Sequence, residues 1–177
     1  GLHQPAVVLG VVGELDGVAV ALGPGGVSAL RVGISAAKGL ALVAKKPIFG
    51  VGTLELEAFP YLDSGVYVCA LLEAGREECA TALFDANGIR VREDRVCTAD
   101  ELILEVKEKV ESPAIFCGEG VGPWRKQIAA ALGAKIQIVR PTPATRVWAL
   151  AEIGQQRLAA GKMDDLTTLQ PEYLRMP

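Results

Sequence analysis

The chain reads as an α/β protein of two related lobes, and three observations carry that reading. The first 62 residues run strand, glycine loop, helix, strand, helix, an order that favours a parallel layer covered by helices. A second block from Gly65 begins with hairpin signals and then repeats strand, glycine loop, helix. Half of the 177 residues are hydrophobic but only 5% are aromatic, so the core is aliphatic, as buried strands prefer. Lobes of residues 1–62 and 63–177 follow.

Taken in order, residues 6–12 are β-rich, and Glu14-Leu15-Asp16-Gly17 supplies turn chemistry before a buried strand over residues 18–22. Gly23-Pro24-Gly25-Gly26 breaks that strand. Val27, Leu30, Ile34, Ala37 and Ala41 then recur at helical spacing, predicting a helix over residues 27–44 that ends at Lys45-Lys46-Pro47. A short strand is expected over 48–51, with Thr53 as the N-cap of a helix carrying Leu54, Leu56 and Phe59. In the second block, strands are expected over 66–72 and 79–84. The Asn87-Gly88 pair then predicts a hairpin into a strand over 89–96, where Ile89 and Val91 alternate with charged residues. Thr98 or Asp100 caps a helix over 99–110 whose apolar stripe is Leu102, Ile103, Val106 and Val110. Residues 114–117 read as a strand, 118–122 as a second glycine loop, and Pro123 as the first residue of a helix reaching Leu132. A short strand over 136–139, a long helix over 144–159 and an extended tail over 166–177 complete the chain.

Composition narrows the function. With a formal charge of −3 and few aromatic rings, tight nucleic-acid binding by the chain alone is not expected. His3 is the single histidine, so neither a metal-binding histidine pair nor a Ser-His-Asp triad assembles without it, and no metal site is expected. Cys69, Cys79, Cys97 and Cys117 show no CxxC spacing and read as reduced thiols of a cytoplasmic protein. No uninterrupted apolar run approaches the roughly 20 residues of a membrane span, and the N-terminus lacks the order of a signal peptide. No membrane association is expected.

A strand ending in Gly23-Pro24-Gly25-Gly26 and feeding a helix presents backbone N–H groups at the positive end of a helix dipole, where phosphate can bind. Gly23, Gly25, Gly26 and Ser28 are the candidate phosphate-binding residues. The pattern is neither GxxxxGK[ST] nor a complete GxGxxG, since Ser28 stands where the third glycine belongs. The alternative is that the glycines only allow a sharp turn. The second loop has the same grammar, but Glu119 opposes an incoming phosphate there.

The helix over 27–44 carries small residues round most of its circumference: Ala29, Gly33, Ser35, Ala36, Ala37, Gly39 and Ala41. Two internal glycines are not selected by helix propensity. Close approach on more than one side is expected, either to a second polypeptide or to layers of its own domain.

No catalytic residue is nominated. The adjacent carboxylates Glu14/Asp16, Glu77/Glu78 and Asp164/Asp165 fall at turns or element ends, where solvated charge is the ordinary explanation. None of the four serines lies in GxSxG.

From Gly23 to Ala41 the chain resembles the bacterial TsaB (YeaZ-like) family of tRNA threonylcarbamoyladenosine biosynthesis proteins, which carries a GPGSFTGLRxGxxxAKGLA stretch. Further likeness lies in Ile48-Phe49-Gly50-Val51-Gly52-Thr53-Leu54, in Gly75-Arg76-Glu77-Glu78 and in Pro171-Glu172-Tyr173-Leu174-Arg175. The resemblance implies an actin-like ATPase (ASKHA, ribonuclease H-like) fold of two related lobes and a non-catalytic scaffold role. Members pair with a TsaD subunit, which supplies the metal-binding histidines and transfers threonylcarbamoyl to tRNA, and a TsaE ATPase joins them. By the same resemblance the interface falls on Leu30, Ile34, Ser35, Lys38 and Leu42, a homodimer is a further assembly, and tRNA is met only through the complex. No cofactor is implied for the chain alone, with ATP or ADP at the complex interface.

The sequence departs from the family in two places. No Asp-Thr-Ser/Thr motif precedes Gly23, so the first lobe is expected to lack its N-terminal hairpin. The loop reads Gly26-Val27-Ser28-Ala29 where the family has Ser-Phe-Thr-Gly, which weakens phosphate binding. The alternative functions are a small-molecule kinase or ATPase of the same fold and, with no residue to support it, a glycoprotease-type peptidase.

Overall fold

A computed structural model of the chain describes residues 14–110 and 113–174. His3 and the expected β-rich stretch 6–12 lie outside the described residues, as does the front at which the hairpin was expected to be missing. The chain forms two compact units, one holding residues 14–56 with Thr142–Tyr173 and the other Glu57–Pro141 with Leu174.

In the first unit β1 (Val18–Gly23) and β2 (Ile48–Gly52) pair in parallel, with Val18 opposite Ile48 and Val20 opposite Gly50. α1 (Val27–Ala44) is the crossover between them. Because successive strand residues face opposite ways, Val18, Val20 and Leu22 meet Ile34, Ala37 and Ala41 of α1. Ala19, on the other face, meets α5 (Pro143–Ala159), where a Cβ on Gly154 would lie 3.0 Å from that of Ala19. Helices on both faces explain why β1 is a continuous apolar run rather than an alternating one. Gly50 has no room for a side chain, since a Cβ there would stand 2.5 Å from Leu22 Cδ1 and 2.8 Å from Leu169 Cδ1. The tail after α5 returns along β2: Asp164 N–H donates to the Ile48 carbonyl at 2.9 Å, and Gly50 N–H donates to Asp164 Oδ2 at 2.7 Å.

The sequence-based boundary near residue 62 therefore falls close to the break at 56/57, but α5 and most of the tail, assigned above to the second lobe, pack on the first. The apolar stripe of α5, with Ala149, Leu150 and Ile153 buried, needs a sheet face, and the one beside Ala19 is the face it covers.

α2 (Thr53–Ala58) follows β2 directly, with Thr53 already helical rather than capping, and a 3-10 turn spans Phe59–Ser64. The second unit holds β3 (Tyr67–Gly75), β4 (Glu78–Phe84), β5 (Arg95–Thr98), β6 (Ala114–Cys117) and β7 (Ile136–Ile138), in the spatial order β5-β4-β3-β6-β7. β3/β4 and β4/β5 are antiparallel, β3/β6 and β6/β7 parallel. α3 (Ala99–Lys109) and α4 (Val121–Leu132) supply Leu102, Ile103, Val106, Val121 and Ile128 to a core with Leu71, Leu83 and Phe116. Thr98 caps α3 in a reciprocal box: its Oγ1 accepts from Glu101 N–H at 3.3 Å and its own N–H donates to Glu101 Oε2 at 2.8 Å.

Two local expectations fail. The strand expected over 89–96 shrinks to β5, preceded by one isolated bridge between Phe84 and Arg90. Asp85 Oδ1 does gather the Asn87 and Ile89 N–H groups at 2.9 Å each, and Gly88 takes φ +73°. The chain then leaves the ladder because Arg92 turns inward, pairing through Nε with Glu105 Oε1 at 2.8 Å and through Nη2 with Oε2 at 3.0 Å. It also reaches the Thr81 carbonyl at 3.2 Å. The Asn87-Gly88 turn does pair its two arms, with Asp85 N–H donating to the Ile89 carbonyl at 2.9 Å and Val91 N–H to the Leu83 carbonyl at 2.8 Å. A second, tighter hairpin joins β3 to β4, where Arg76 and Glu77 both take positive φ, 54° and 61°, the handedness a two-residue turn requires. Pro123, expected to open α4, is its third residue, because the helix begins at Val121.

Glu105 is the hub of this edge, for Arg95 Nη2 and Lys109 Nζ each also reach it at 3.0 Å. Burial alone would raise its carboxyl; the hydrogen bonds from Arg92 and Lys109 and the charges of Arg92 and Arg95 outweigh burial and hold it at about 2.

Candidate functional site

The glycine loop joins β1 to α1, and its glycines have different reasons to be there. Gly23 takes φ +121°, and a Cβ on it would lie 2.6 Å from the Glu172 carbonyl oxygen and 3.0 Å from Leu30 Cδ1. The tail is anchored at this point by Glu172 N–H, which donates to the Leu22 carbonyl at 2.9 Å. Gly25 and Gly26 are exposed, with only ordinary contacts to Leu30 and Ala29. Gly26 is the N-cap of α1 with no side-chain cap, and no acidic residue sits in the first turn. Leu30 N–H makes the first helical bond, to the Gly26 carbonyl at 2.9 Å, which leaves the N–H groups of Val27, Ser28 and Ala29 pointing outward from the helix end. Gly23 thus serves packing, while Gly25, Gly26 and Ser28 line an open helix terminus. Glu172 Oε2 approaches the neighbouring Gly52 within 3.6 Å of where its Cβ would be, placing a carboxylate beside the loop.

The second glycine loop is a packing device. A Cβ on Gly118 would stand 2.3 Å from the Leu71 carbonyl oxygen and one on Gly120 2.6 Å from Leu72 backbone, and Gly120 N–H donates to the Leu71 carbonyl at 3.0 Å.

α1 divides its circumference sharply. Leu30 and Ile34, carried above as interface residues, are 6% and 4% exposed and point into the core of their own unit, so they are corrected here to core residues. Ile34 faces Val18 and Val20 across the sheet. Ser35 and Leu42 are exposed, Leu42 at 68%, and Lys38 is half-buried. Sequence reasoning missed Val32 and Val43, exposed at 68% and 76%, while Ala36 and Gly39, counted above among the small residues of this helix, are exposed with them. Positions 32, 35, 36, 39, 42 and 43 recur at three- and four-residue spacing and form one stripe. Nothing lies within 4 Å of a Cβ placed on Gly39, so that stretch of backbone is open to close approach. α1 is long and apolar enough by length and composition to cross a bilayer. Its buried stripe is spent on β1 and β2, and what remains is an exposed apolar face.

The structure adds one withdrawn carboxylate that the sequence did not single out. Glu57, at the end of α2, is fully buried. Burial raises the Tyr61 hydroxyl and the Cys117 thiol, and the charge of Glu57 adds to both. Among the described residues no three His, Cys, Asp or Glu side chains converge as metal ligands.

With this geometry in view, the family of TsaD, tRNA N6-adenosine threonylcarbamoyltransferase, matches residues 11–175. The Bacillus subtilis tRNA threonylcarbamoyladenosine biosynthesis protein TsaB is 31% identical over 172 residues, which is 92% of this chain and 71% of that protein. A tRNA N6-adenosine threonylcarbamoyltransferase of Methylorubrum extorquens is 38% identical over 101 residues, 55% of this chain but only 28% of its own length. Among solved structures, a Pseudomonas aeruginosa protein described as similar to peptidase YEAZ superposes with a TM-score of 0.66 and 19% identity, covering 93% of this chain and 76% of that one. The mixed α/β fold is accordingly of the YeaZ and TsaD-like, ASKHA type. A glycine loop held by the C-terminal tail, followed by a small-faced helix, sits inside a match that runs nearly end to end, and the chain belongs to the TsaB/YeaZ-like family.

Proposed function

We propose that this protein is a non-catalytic partner subunit in the formation of threonylcarbamoyladenosine in tRNA, and that it docks a TsaD-like catalytic subunit through the exposed stripe of α1. The observation that carries the reading is the stripe itself. Val32, Leu42 and Val43 expose apolar side chains along a helix whose other side is fully committed to the core, with Ser35, Ala36 and Gly39 between them to admit a second helix closely. The Bacillus subtilis relative is named for this biosynthesis, and the transferase relatives for the transfer reaction. A single histidine leaves the chemistry to the partner. A TsaE-like ATPase and tRNA join through the complex, ATP or ADP binds at the complex interface, and the assembly works in the cytoplasm. The same stripe serves a homodimer when the partner is absent.

The deciding experiment mixes the purified chain with a TsaD-like protein. Co-elution is expected, and the Val32→Asp variant is expected to fold normally yet elute alone. Normal co-elution of that variant, or none by the native chain, overturns the reading.

A second reading, a small-molecule kinase or ATPase, draws on the open, uncapped N-terminus of α1 at Gly25, Gly26 and Ser28. It requires nucleotide to bind the chain alone. The Glu172 carboxylate beside Gly52 works against it by repelling phosphate.

A further inference from the structure

Cys79 on β4 and Cys97 on β5 are direct cross-strand partners, both buried and both reduced. Directly opposed residues of an antiparallel pair stand about 4.5–5.5 Å apart at Cα, within the roughly 4.4–6.8 Å that a disulfide spans. The Cys79 thiol donates to the Cys97 carbonyl at 3.4 Å, so its sulfur lies over its partner residue and not turned away from it. Neither remaining thiol has a cysteine opposite: Cys69 faces Leu83 and Phe116, and Cys117 faces Ala70. β5 is a four-residue edge strand with Arg95 and Thr98 exposed, the kind of element that opens locally without unfolding the sheet.

We propose that Cys79 and Cys97 form an intrachain disulfide when the protein meets a low-molecular-mass disulfide such as glutathione disulfide. Cys97 is the attacking group. Cys97 lies on the edge strand that opens, while the Cys79 thiol keeps its proton, which the Cys97 carbonyl accepts and burial retains. The Cys97 thiolate attacks one sulfur of the oxidant, forming a mixed disulfide and releasing one thiol. Cys79 then gives up its proton and attacks the Cys97 sulfur, and the second thiol leaves. The two protein thiols lose two electrons and two protons, and the oxidant takes up both as it becomes two thiols. The product ties the edge strand to the sheet and closes the loop that carries Arg92.

The test incubates the native protein with excess glutathione disulfide, alkylates what remains and maps the peptides. Two of the four thiols are expected to disappear with a mass loss of about 2 Da and a single cross-link from Cys79 to Cys97. Hydrogen exchange in β5 is expected to slow. The Cys79→Ala variant is expected to accumulate a glutathione adduct on Cys97, and Cys97→Ala to stay unmodified at Cys79. A cross-link through Cys69 or Cys117, four intact thiols after prolonged oxidation, or an adduct on Cys79 in the Cys97→Ala variant overturns the proposal. The native peptide map decides it even where a variant does not fold.

Discussion

Arg157 of α5 and Glu55 of α2, 102 residues apart in sequence, form an ion pair in which Arg157 Nη2 alone reaches both carboxylate oxygens, Oε1 at 3.0 Å and Oε2 at 2.9 Å. Arg157 Nη1 also donates to the Gly50 carbonyl, so one side chain ties the C-terminal helix to the end of β2 and the start of α2. This clamp fixes the exit of the chain from the first sheet. Replacing Arg157 by Ala is expected to cost about 1–3 kcal/mol in urea unfolding, because the Gly50 carbonyl loses its partner along with the carboxylate. Arg157→Lys restores only part of that, since one ammonium cannot hold the carboxylate and the Gly50 carbonyl as two separate guanidinium nitrogens do. Equal stability of the Lys and Arg proteins would contradict this two-armed role.

The two sides of α1 make opposite predictions. Ile34→Asp buries an unpaired charge against Val18 and Val20 and is expected to cost about 3–5 kcal/mol, abolishing the fold at ordinary temperature. Val32→Asp and Leu42→Asp, both on exposed positions, are expected to shift stability by less than about 0.5 kcal/mol while removing association. Circular dichroism and gel filtration on the three variants separate the roles.

Acid sensitivity is expected to centre on Glu105. Its carboxyl lies at about 2 in the folded chain against an ordinary 4.5, so the unfolded chain binds the proton more readily. The stabilisation is therefore complete above about 4.5 and is lost as pH falls toward about 2. Glu105→Gln is expected to flatten the stability profile across that window and to lower stability at pH 7, because the half-buried Arg92 is left without its carboxylate. Parallel urea titrations between pH 2 and pH 7 measure both effects. An unchanged acid slope in the variant would remove Glu105 from the account.

Left-handed residues other than glycine predict stabilising substitutions. Arg76 and Glu77 both occupy that region in the β3–β4 turn, and Lys45 occupies it where its N–H closes α1 onto the Ala41 and Leu42 carbonyls. Glu77→Gly and Lys45→Gly are each expected to gain about 0.5–1 kcal/mol, since glycine adopts positive φ without the Cβ penalty. Thermal unfolding of the single and double variants checks this, and the gains are expected to add because the sites lie in different units.

Much of the fold was legible in local sequence. The 3.6-residue recurrence of Leu30, Ile34, Ala37 and Ala41 places α1, and continuous apolar runs place β1 and β6, because each pattern reflects contacts a few residues apart. The Thr98 cap was legible for the same reason as one of two candidates, and the structure chose it over Asp100 through its reciprocal bonds with Glu101. The candidate site was half legible: a small-faced helix after a glycine loop identifies where a second helix can come close, but small residues all round it do not say which side is already taken.

That last question the sequence left open, and only the tertiary structure decided it. Leu30 and Ile34 are inward because β1 presents Val18, Val20 and Leu22 to that side of α1, and Val32, Leu42 and Val43 are outward by exclusion. The same holds for α5, which joins the first unit because Gly154 lets it settle on Ala19, and for residues 89–94, drawn off the sheet edge by the pairing of Arg92 with Glu105. Sequence by itself determines what repeats within a turn or a strand. A partner reached across a hundred residues, as Glu55 is by Arg157, leaves no periodic trace, because its energy comes from a meeting that exists only once the chain has folded.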